Sequence, residues 1–203
     1  ALPICAYITT EGGGGLIIID LSPLPQSHNL TVNHFTSGGW STAHNLWIDE
    51  DGILYIFGAN RGVGGAILYD LNIDPVNLSE VGYWNQYYVH DGIVRGDTLY
   101  AAHIRDGFFS IYDFSDKANP VYLTSANTPN NWTHNVWVND NHTRGFTTDE
   151  VSGAFIAEYD ISDFQNITET DRIQSSPGQL VIPHNARSEE HTSELQSPYV
   201  ISY

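Results

Sequence analysis

Four histidines recur along the chain at similar intervals, and each is followed by Asn or Asp. Neutral imidazole is the commonest nitrogen ligand of transition metals, so one histidine from each repeat could contribute to a shared metal ion. An open coordination position on that ion would allow hydrolysis or oxidation. A recurring pair can equally serve the fold, by hydrogen bonding to backbone groups left over at strand ends. Both interpretations stay open for His44-Asn45, His90-Asp91, His134-Asn135 and His184-Asn185.

A second group of candidates breaks the repeat pattern and is better suited to specificity. His103, Asp149 and Glu150 could act as further metal ligands or as general acids and bases. Aromatic residues just before the histidines could stack on sugars or peptides, or could pack in the core. We expect the loops that carry these side chains to share one face. The predicted ligand-binding face consists of His103, Arg105, Asp149, Glu150, Arg61, Trp40, Tyr87 and Trp132.

The elements that must position these residues follow a repeat. Four segments end in a short apolar run and an Asp, and these Asp residues are separated by 50, 43 and 47 positions. Each recurring histidine follows such an Asp by 20 to 24 residues. Because the Asp and the His recur together at similar spacings, the pattern indicates a true repeat. Its anchors are Asp20, Asp70, Asp113 and Asp160.

Each period contains four short apolar runs bounded by turn residues, which predict four β-strands. In the first complete repeat the runs are residues 44–49, 53–58, 65–71 and 78–84, and Asp51-Gly52 predicts a tight turn between the first two. Four antiparallel strands in about 45 residues is the period of a β-propeller blade. The sequence therefore predicts an all-β fold, a β-propeller of four-stranded antiparallel blades present as an incomplete set.

The repeat segments also resemble a known family. LIIID, AILYD, SIYD and AEYD, with turns such as SDKANP at 115–120, resemble LVIVD repeats. The longer segments YYVHDGIVRGDTLYAAHIRDGFFSIYDFSDKANP and FTTDEVSGAFIAEYDISD resemble the choice-of-anchor B family, over residues 12–186 in all. The resemblance implies a β-propeller in a bacterial protein that is secreted or displayed at the cell surface. It implies no biochemical activity, because the family is named for its anchors.

The composition limits the classes of partner. The formal charge is −17 at pH 7, from 7 basic and 24 acidic residues. Nucleic acids and anionic membrane surfaces both require basic patches, so neither is an expected partner. Cys5 is the only cysteine, so no internal disulfide can form. No apolar run approaches the roughly 20 residues of a membrane-spanning helix, so we expect no membrane insertion within this sequence.

The end of the sequence has a different character from the repeats. Residues from Arg187 to Ser197 read RSEEHTSELQS, which resembles a translated sequencing adapter. We therefore expect residues 187–203 to be a non-native tail that takes no part in the fold. The predicted domain is a partial β-propeller over residues 1–186, with about three full blades and parts of two others.

Three functions are compatible with these observations. The first is an exported, non-enzymatic module that binds an extracellular protein or glycan. The second is a metal-dependent enzyme, a hydrolase or an oxidoreductase, with a transition metal bound by the ring of His44, His90, His134 and His184. The third is an architectural spacer in a surface protein. Hydrogen-bonded histidines without a metal favour the first or third, whereas converging imidazole nitrogens favour the second.

Overall fold

The computed structural model describes residues 4–188, which form fifteen β-strands and no helix. The all-β prediction is therefore confirmed. Most of the predicted adapter tail lies outside the described residues, which include only Arg187 and Ser188 of it. Within residues 4–188, no helix has the length and apolarity needed to cross a membrane.

The strands form four sheets in which neighbours in sequence are neighbours in space. The first sheet has three strands, β1 (Cys5–Ile8), β2 (Leu16–Asp20) and β3 (Val32–Phe35). The second contains β4 (Asn45–Ile48), β5 (Ile53–Phe57), β6 (Ala66–Asp70) and β7 (Ser79–Trp84). The third contains β8 (Asp91–Arg95), β9 (Thr98–His103), β10 (Phe108–Asp113) and β11 (Val121–Asn127). The fourth contains β12 (Thr133–Val138), β13 (Arg144–Asp149), β14 (Ile156–Asp160) and β15 (Thr168–Ile173).

The repeated Asp has a structural role at the end of the strand that carries each repeated apolar run, β2, β6, β10 or β14. In every repeat its Oδ1 accepts a hydrogen bond from the backbone N–H two residues later, which is an Asx turn. This bond reverses the chain where the apolar run ends. The four bonds are Ser22 N to Asp20 (2.9 Å), Asn72 N to Asp70 (2.8 Å), Ser115 N to Asp113 (2.8 Å) and Ser162 N to Asp160 (3.0 Å).

A tyrosine precedes three of these Asp residues, and the strand pairing shifts register beside it. The shifts fall between Leu68 and Tyr69, Ile111 and Tyr112, and Glu158 and Tyr159. All three tyrosines are buried. A β-bulge re-aims the residues that follow it, so the same irregularity recurs just before each of these Asx turns.

The chain divides into two compact units. One contains the residues up to Val89 together with Val94–Gly96 and Asp116–Pro120. The other contains His90–Ile93, Asp97–Ser115 and the residues from Val121 onward. The core of the first unit includes the fully buried Leu16, Ile18, Leu54 and Ile56. In the second unit, Phe109 packs edge-to-face on Tyr159 with ring centroids 5.0 Å apart.

Candidate functional site

A loop over residues 128–132 leads into β12 in the second unit, and a buried carboxylate holds it. Asp149, at the end of β13, is fully buried. Its Oδ1 accepts hydrogen bonds from Trp132 N (2.8 Å) and Thr128 Oγ1 (2.5 Å), and its Oδ2 accepts one from Asn130 N (2.8 Å). A buried carboxylate with three donors is well satisfied, so Asp149 fixes this loop from inside the protein.

The 128–132 loop presents three exposed residues, Asn130, Asn131 and Trp132, while its backbone is fixed. The Trp132 side chain is 47% exposed, and Asn131 adopts a left-handed conformation with φ of 53°. The turn between β9 and β10 packs against this loop at Gly107, whose φ is 76° and where a Cβ would lie 2.7 Å from Asn131. The exposed Arg105 belongs to that turn. This close approach requires glycine at position 107.

Two recurring histidines and one acidic residue converge beside this loop, and we call His134, Glu150 and His184 the His–Glu cluster. The imidazole centroids of His134 and His184 are 3.9 Å apart. Oε2 of Glu150 lies 4.0 Å from Nε2 of His134, and Oε1 of Glu150 lies 4.0 Å from Nε2 of His184. One potential ligand atom from each of the three residues lies within 4.8 Å of the other two. This combination of two imidazoles and a carboxylate can bind a divalent metal or carry protons.

The backbone around the His–Glu cluster is tied to the strands that carry it. The Glu150 N–H donates to the carbonyl of Trp132 at 3.0 Å. The hydroxyl of Thr148 donates to the carbonyl of His184 at 2.6 Å. The N–H of Ala186 donates to Oδ1 of Asn135 at 3.0 Å. These bonds attach the segment around His184 to β12 and β13, so the two histidines share one small region.

The residues that follow the histidines have a structural role. Asn135 Nδ2 donates to the carboxylate of Asp91 at 2.7 Å, and both residues are buried. With the bond from Ala186, this pairing links three repeats of the sequence through one asparagine. The second half of the recurring pair thus makes the kind of hydrogen bond expected from its structural interpretation.

The structure places other predicted ligand-binding residues inside the protein or in local pairs. His103 is fully buried, and its Nε2 lies 2.6 Å from the hydroxyl of Ser110 on the paired strand. Trp40 is buried and donates from Nε1 to the hydroxyl of Tyr69 at 2.9 Å. Tyr87 is exposed in the first unit, where its ring is 6.4 Å from that of Trp84.

The recurring histidines differ in their surroundings. His44 lies in the first unit, and its Nδ1 is 2.8 Å from a carboxylate oxygen of Glu11. His90 lies in the second unit, is buried, and packs against the ring of His134 with centroids 4.6 Å apart. The structure therefore brings His90, His134 and His184 together with Glu150 within one unit.

Two threonines in this region were not singled out from the sequence. Thr128 bonds the buried carboxylate of Asp149, and Thr148 holds the backbone of His184. Both are almost fully buried. Their neighbourhoods are rich in Ser and Thr, and no residue pattern separates these two hydroxyls from those nearby. Their importance depends on long-range pairing that only the folded chain reveals.

No known family model matches the chain, and neither does any curated protein sequence. Several solved structures do match. A protein from Lactobacillus plantarum has a TM-score of 0.52 at 11% identity, over 89% of this chain and 68% of that one. A putative 6-phosphogluconolactonase from Bacteroides fragilis has a TM-score of 0.55 at 10% identity, over 85% of this chain and 54% of that one.

The chain spans only about half of the lactonase-like protein, and the identities are low, so these similarities show the fold alone. The structural neighbours are β-propeller proteins of several blades. Together with the sheets of four successive antiparallel strands, they confirm the predicted fold class. The described chain is built from the blades of a β-propeller.

Proposed function

We propose that this chain is a binding module that recognises an extracellular glycan or protein through the 128–132 loop. The observation that carries the proposal is the exposed indole of Trp132 on a backbone fixed by Asp149. An aromatic side chain presents a large apolar face at low entropic cost. A ligand that stacks on this indole does not have to order the loop first, so less binding energy is lost on association.

We favour a glycan over a protein as the ligand. Sugar rings combine apolar faces with hydroxyl groups, and the surroundings of Trp132 provide both kinds of contact. Asn131, next to Trp132 in sequence, is exposed and can both donate and accept hydrogen bonds. The exposed Arg105 belongs to the turn that contacts Asn131 at Gly107, and its guanidinium can donate hydrogen bonds to sugar hydroxyls. A standard protein interface would need about 800 Å² from each partner, a much larger surface than this loop.

Replacement of Trp132 by Ala tests this proposal on a glycan array and in titrations with any glycan that the wild-type chain binds. We expect affinity to fall at least about tenfold, because a central aromatic contact contributes 1.4 kcal/mol or more. Trp132→Phe should retain part of the affinity, since it keeps an aromatic face. Tyr122→Ala removes another exposed aromatic in the same unit and is the matched control. Wild-type affinity in Trp132→Ala would exclude this loop as the recognition surface.

We also propose that the protein is exported and belongs with the LVIVD and choice-of-anchor B propellers. The support is the resemblance of its repeat segments, together with its acidic composition. Protease treatment of intact source cells would degrade an exported, surface-displayed protein and spare one that stays inside. An intact protein inside treated cells, with none in the medium, would contradict export.

A metal-dependent enzyme is the second candidate function. The convergence of His134, Glu150 and His184 is the observation that favours it. Three protein ligands leave coordination positions for water or substrate, as in hydrolytic metal sites. This candidate requires a metal ion at the cluster before any substrate is screened. If neither ligand nor metal binds, the architectural spacer is the remaining function.

A further inference from the structure

We infer that the second unit contains a divalent transition-metal centre whose protein ligands are His134, Glu150 and His184. This ligand set differs from the ring of four histidines predicted from the sequence. It includes an acidic residue that follows no repeat, and it lies within a single unit of the chain. The inference goes beyond the proposed glycan recognition, which does not require a metal ion.

The distances fit a shared ion. Atoms that bond one tetrahedral metal at about 2.0–2.1 Å lie about 3.3 Å from each other. The Nε2 atoms of His134 and His184 each lie 4.0 Å from a carboxylate oxygen of Glu150. These two gaps are too long for hydrogen bonds. One ligand atom from each residue lies within 4.8 Å of the other two, so each pair has to shorten by at most about 1.5 Å to reach ligand spacing.

The side chains differ in burial in a way that permits this closure. The His134 side chain is only 4% exposed and is held between the rings of His90 and His184. Glu150 and His184 are 35% and 48% exposed, so their rotamers can change without disturbing the core. A fixed inner ligand and two adjustable outer ligands can adapt to the bond lengths of one ion.

The charges of the donor set suit a divalent cation. An imidazole binds a metal ion in its neutral form, and the carboxylate of Glu150 adds one negative charge that compensates part of the charge of the ion.

The surrounding hydrogen bonds hold the ligand backbones in register, as the outer shell of a metal site does. Thr148 holds the carbonyl of His184, and Asn135 holds the N–H of Ala186. Glu150 N bonds the Trp132 carbonyl, which places the carboxylate beside His134 two residues further on. Each ligand is thereby attached to β12 or β13 or to both.

The donor set defines the class of metal. Two imidazole nitrogens and one carboxylate suit borderline ions such as Zn²⁺, Fe²⁺, Co²⁺, Ni²⁺ and Cu²⁺. Mg²⁺ and Ca²⁺ prefer all-oxygen sites, so this cluster discriminates against them. Three protein ligands leave at least one position open for water or a ligand oxygen. The closest biochemical class is therefore a zinc-type centre with an exchangeable site.

The test is a titration of the full chain, first stripped with a chelator, with Zn²⁺ by calorimetry and elemental analysis. We expect one Zn²⁺ per chain, no comparable binding of Mg²⁺, and a rise in Tm on adding Zn²⁺, because an ion that binds the folded state stabilises it. Co²⁺ serves as a spectroscopic probe, since its visible bands report the number and type of ligands.

His184 is exposed and Glu150 is half-buried, so variants at these two ligands are expected to fold. His184→Ala and Glu150→Gln should each weaken Zn²⁺ binding by more than the roughly 10–100-fold typical of outer-shell changes, and should abolish the Zn²⁺-dependent rise in Tm. His28→Ala removes an exposed histidine from the first unit and is the matched control, with wild-type affinity. His134→Ala should lose binding too, but the variants at His184 and Glu150 carry the conclusion.

The opposite results are equally clear. Stoichiometric Zn²⁺ binding that survives both His184→Ala and Glu150→Gln would place the metal elsewhere and overturn the inference. A wild-type chain that is folded and binds neither Zn²⁺ nor Co²⁺ would overturn it as well, and would leave the cluster with a packing role. Glycan binding by Trp132 is measured separately in chelator, so the failure of one proposal does not affect the other.

Discussion

Arg61 and Asp149 are two charged residues of the predicted ligand-binding face whose side chains make contacts within the protein. The two terminal nitrogens of Arg61 donate to the two carboxylate oxygens of Glu80 at 2.6 and 3.1 Å. The guanidinium also lies 4.1 Å from the ring centroid of Tyr83. The hydrogen bonds to Glu80 raise the pKa of Arg61, against the opposing effect of burial. A guanidinium held in this way joins β7 to the loop after β5.

Asp149 is held more firmly than Arg61, because it is fully buried and accepts hydrogen bonds from three donors. Its neighbour Glu150 is half-exposed and faces two histidines instead. Two adjacent acidic residues therefore have different roles: one fixes the loop and the other is available to a ligand. Side chains at consecutive positions of an extended chain point in opposite directions, which explains the difference.

The Asx turns are the feature that recurs at the scale of a strand and its following turn. At Asp20 the hydroxyl and backbone N–H of Ser22 both hydrogen bond to the carboxylate and lower its pKa. Asp160 has the same arrangement with Ser162. At Asp74 and Asp116, hydrogen bonds from Asn77 and Asn119, together with nearby backbone N–H groups, have the same effect on the pKa. The ionised carboxylate is thus the form that the turns favour.

These lowered pKa values predict a loss of stability in acid. A group whose pKa is lower in the folded chain contributes stability above its ordinary pKa of about 3.9, and that contribution is lost as the pH falls through the folded value. Asn keeps the acceptor oxygen but cannot titrate. We therefore expect Tm to fall less steeply between pH 5 and pH 2 in Asp20→Asn than in the wild type.

Thermal unfolding at a series of pH values measures this difference. Asp106→Asn removes one carboxylate from the exposed turn between β9 and β10 and is the control for the loss of a single charge. If Asp20→Asn and Asp106→Asn change the pH dependence of Tm to the same extent, the turn hydrogen bonds are not the cause.

The sequence predicts the local elements well because they depend on local patterns. The four strands of the first complete repeat lie within residues 44–49, 53–58, 65–71 and 78–84, as predicted from their apolar runs. The anchors of the repeat, such as Asp70, mark the ends of third strands because an Asx turn needs only neighbouring residues. The sequence alone therefore predicts the length of the repeat and the positions of its turns.

The candidate site was only partly predictable, because its decisive contacts join distant parts of the chain. The spacing of the histidines indicated that they would recur at strand starts, but it could not show that Glu150 would lie beside His134 and His184. The burial of His103 and Asp149 depends on strand pairing across a whole sheet. Whether a polar residue faces solvent or the interior of a blade follows from register, and a shift of one residue reverses it.

At the scale of the whole molecule, acidity is the dominant property. With 24 acidic and only 7 basic residues, the chain has few opportunities to compensate each carboxylate by an ion pair. Such a charge keeps a protein soluble but destabilises its compact state through self-repulsion. It also concentrates cations near the surface, which is consistent with a metal centre and unfavourable for polyanionic partners.

The net charge of −17 predicts that added salt stabilises the folded chain. The Debye length falls from about 30 Å at 0.01 M to about 3 Å at 1 M, so salt screens repulsion between distant carboxylates. If screening contributes about 1 kcal/mol, Tm should rise by roughly 2–4 °C for a chain of this size.

The measurement is thermal unfolding in chelator over a series of NaCl concentrations. Most of the rise should occur below about 0.2 M, because screening then approaches its limit. A Tm that falls with salt would show that the few ion pairs, such as Arg61–Glu80, outweigh the repulsion between carboxylates. A rise in Tm that continues linearly to 1 M would indicate that salt acts by strengthening apolar burial instead.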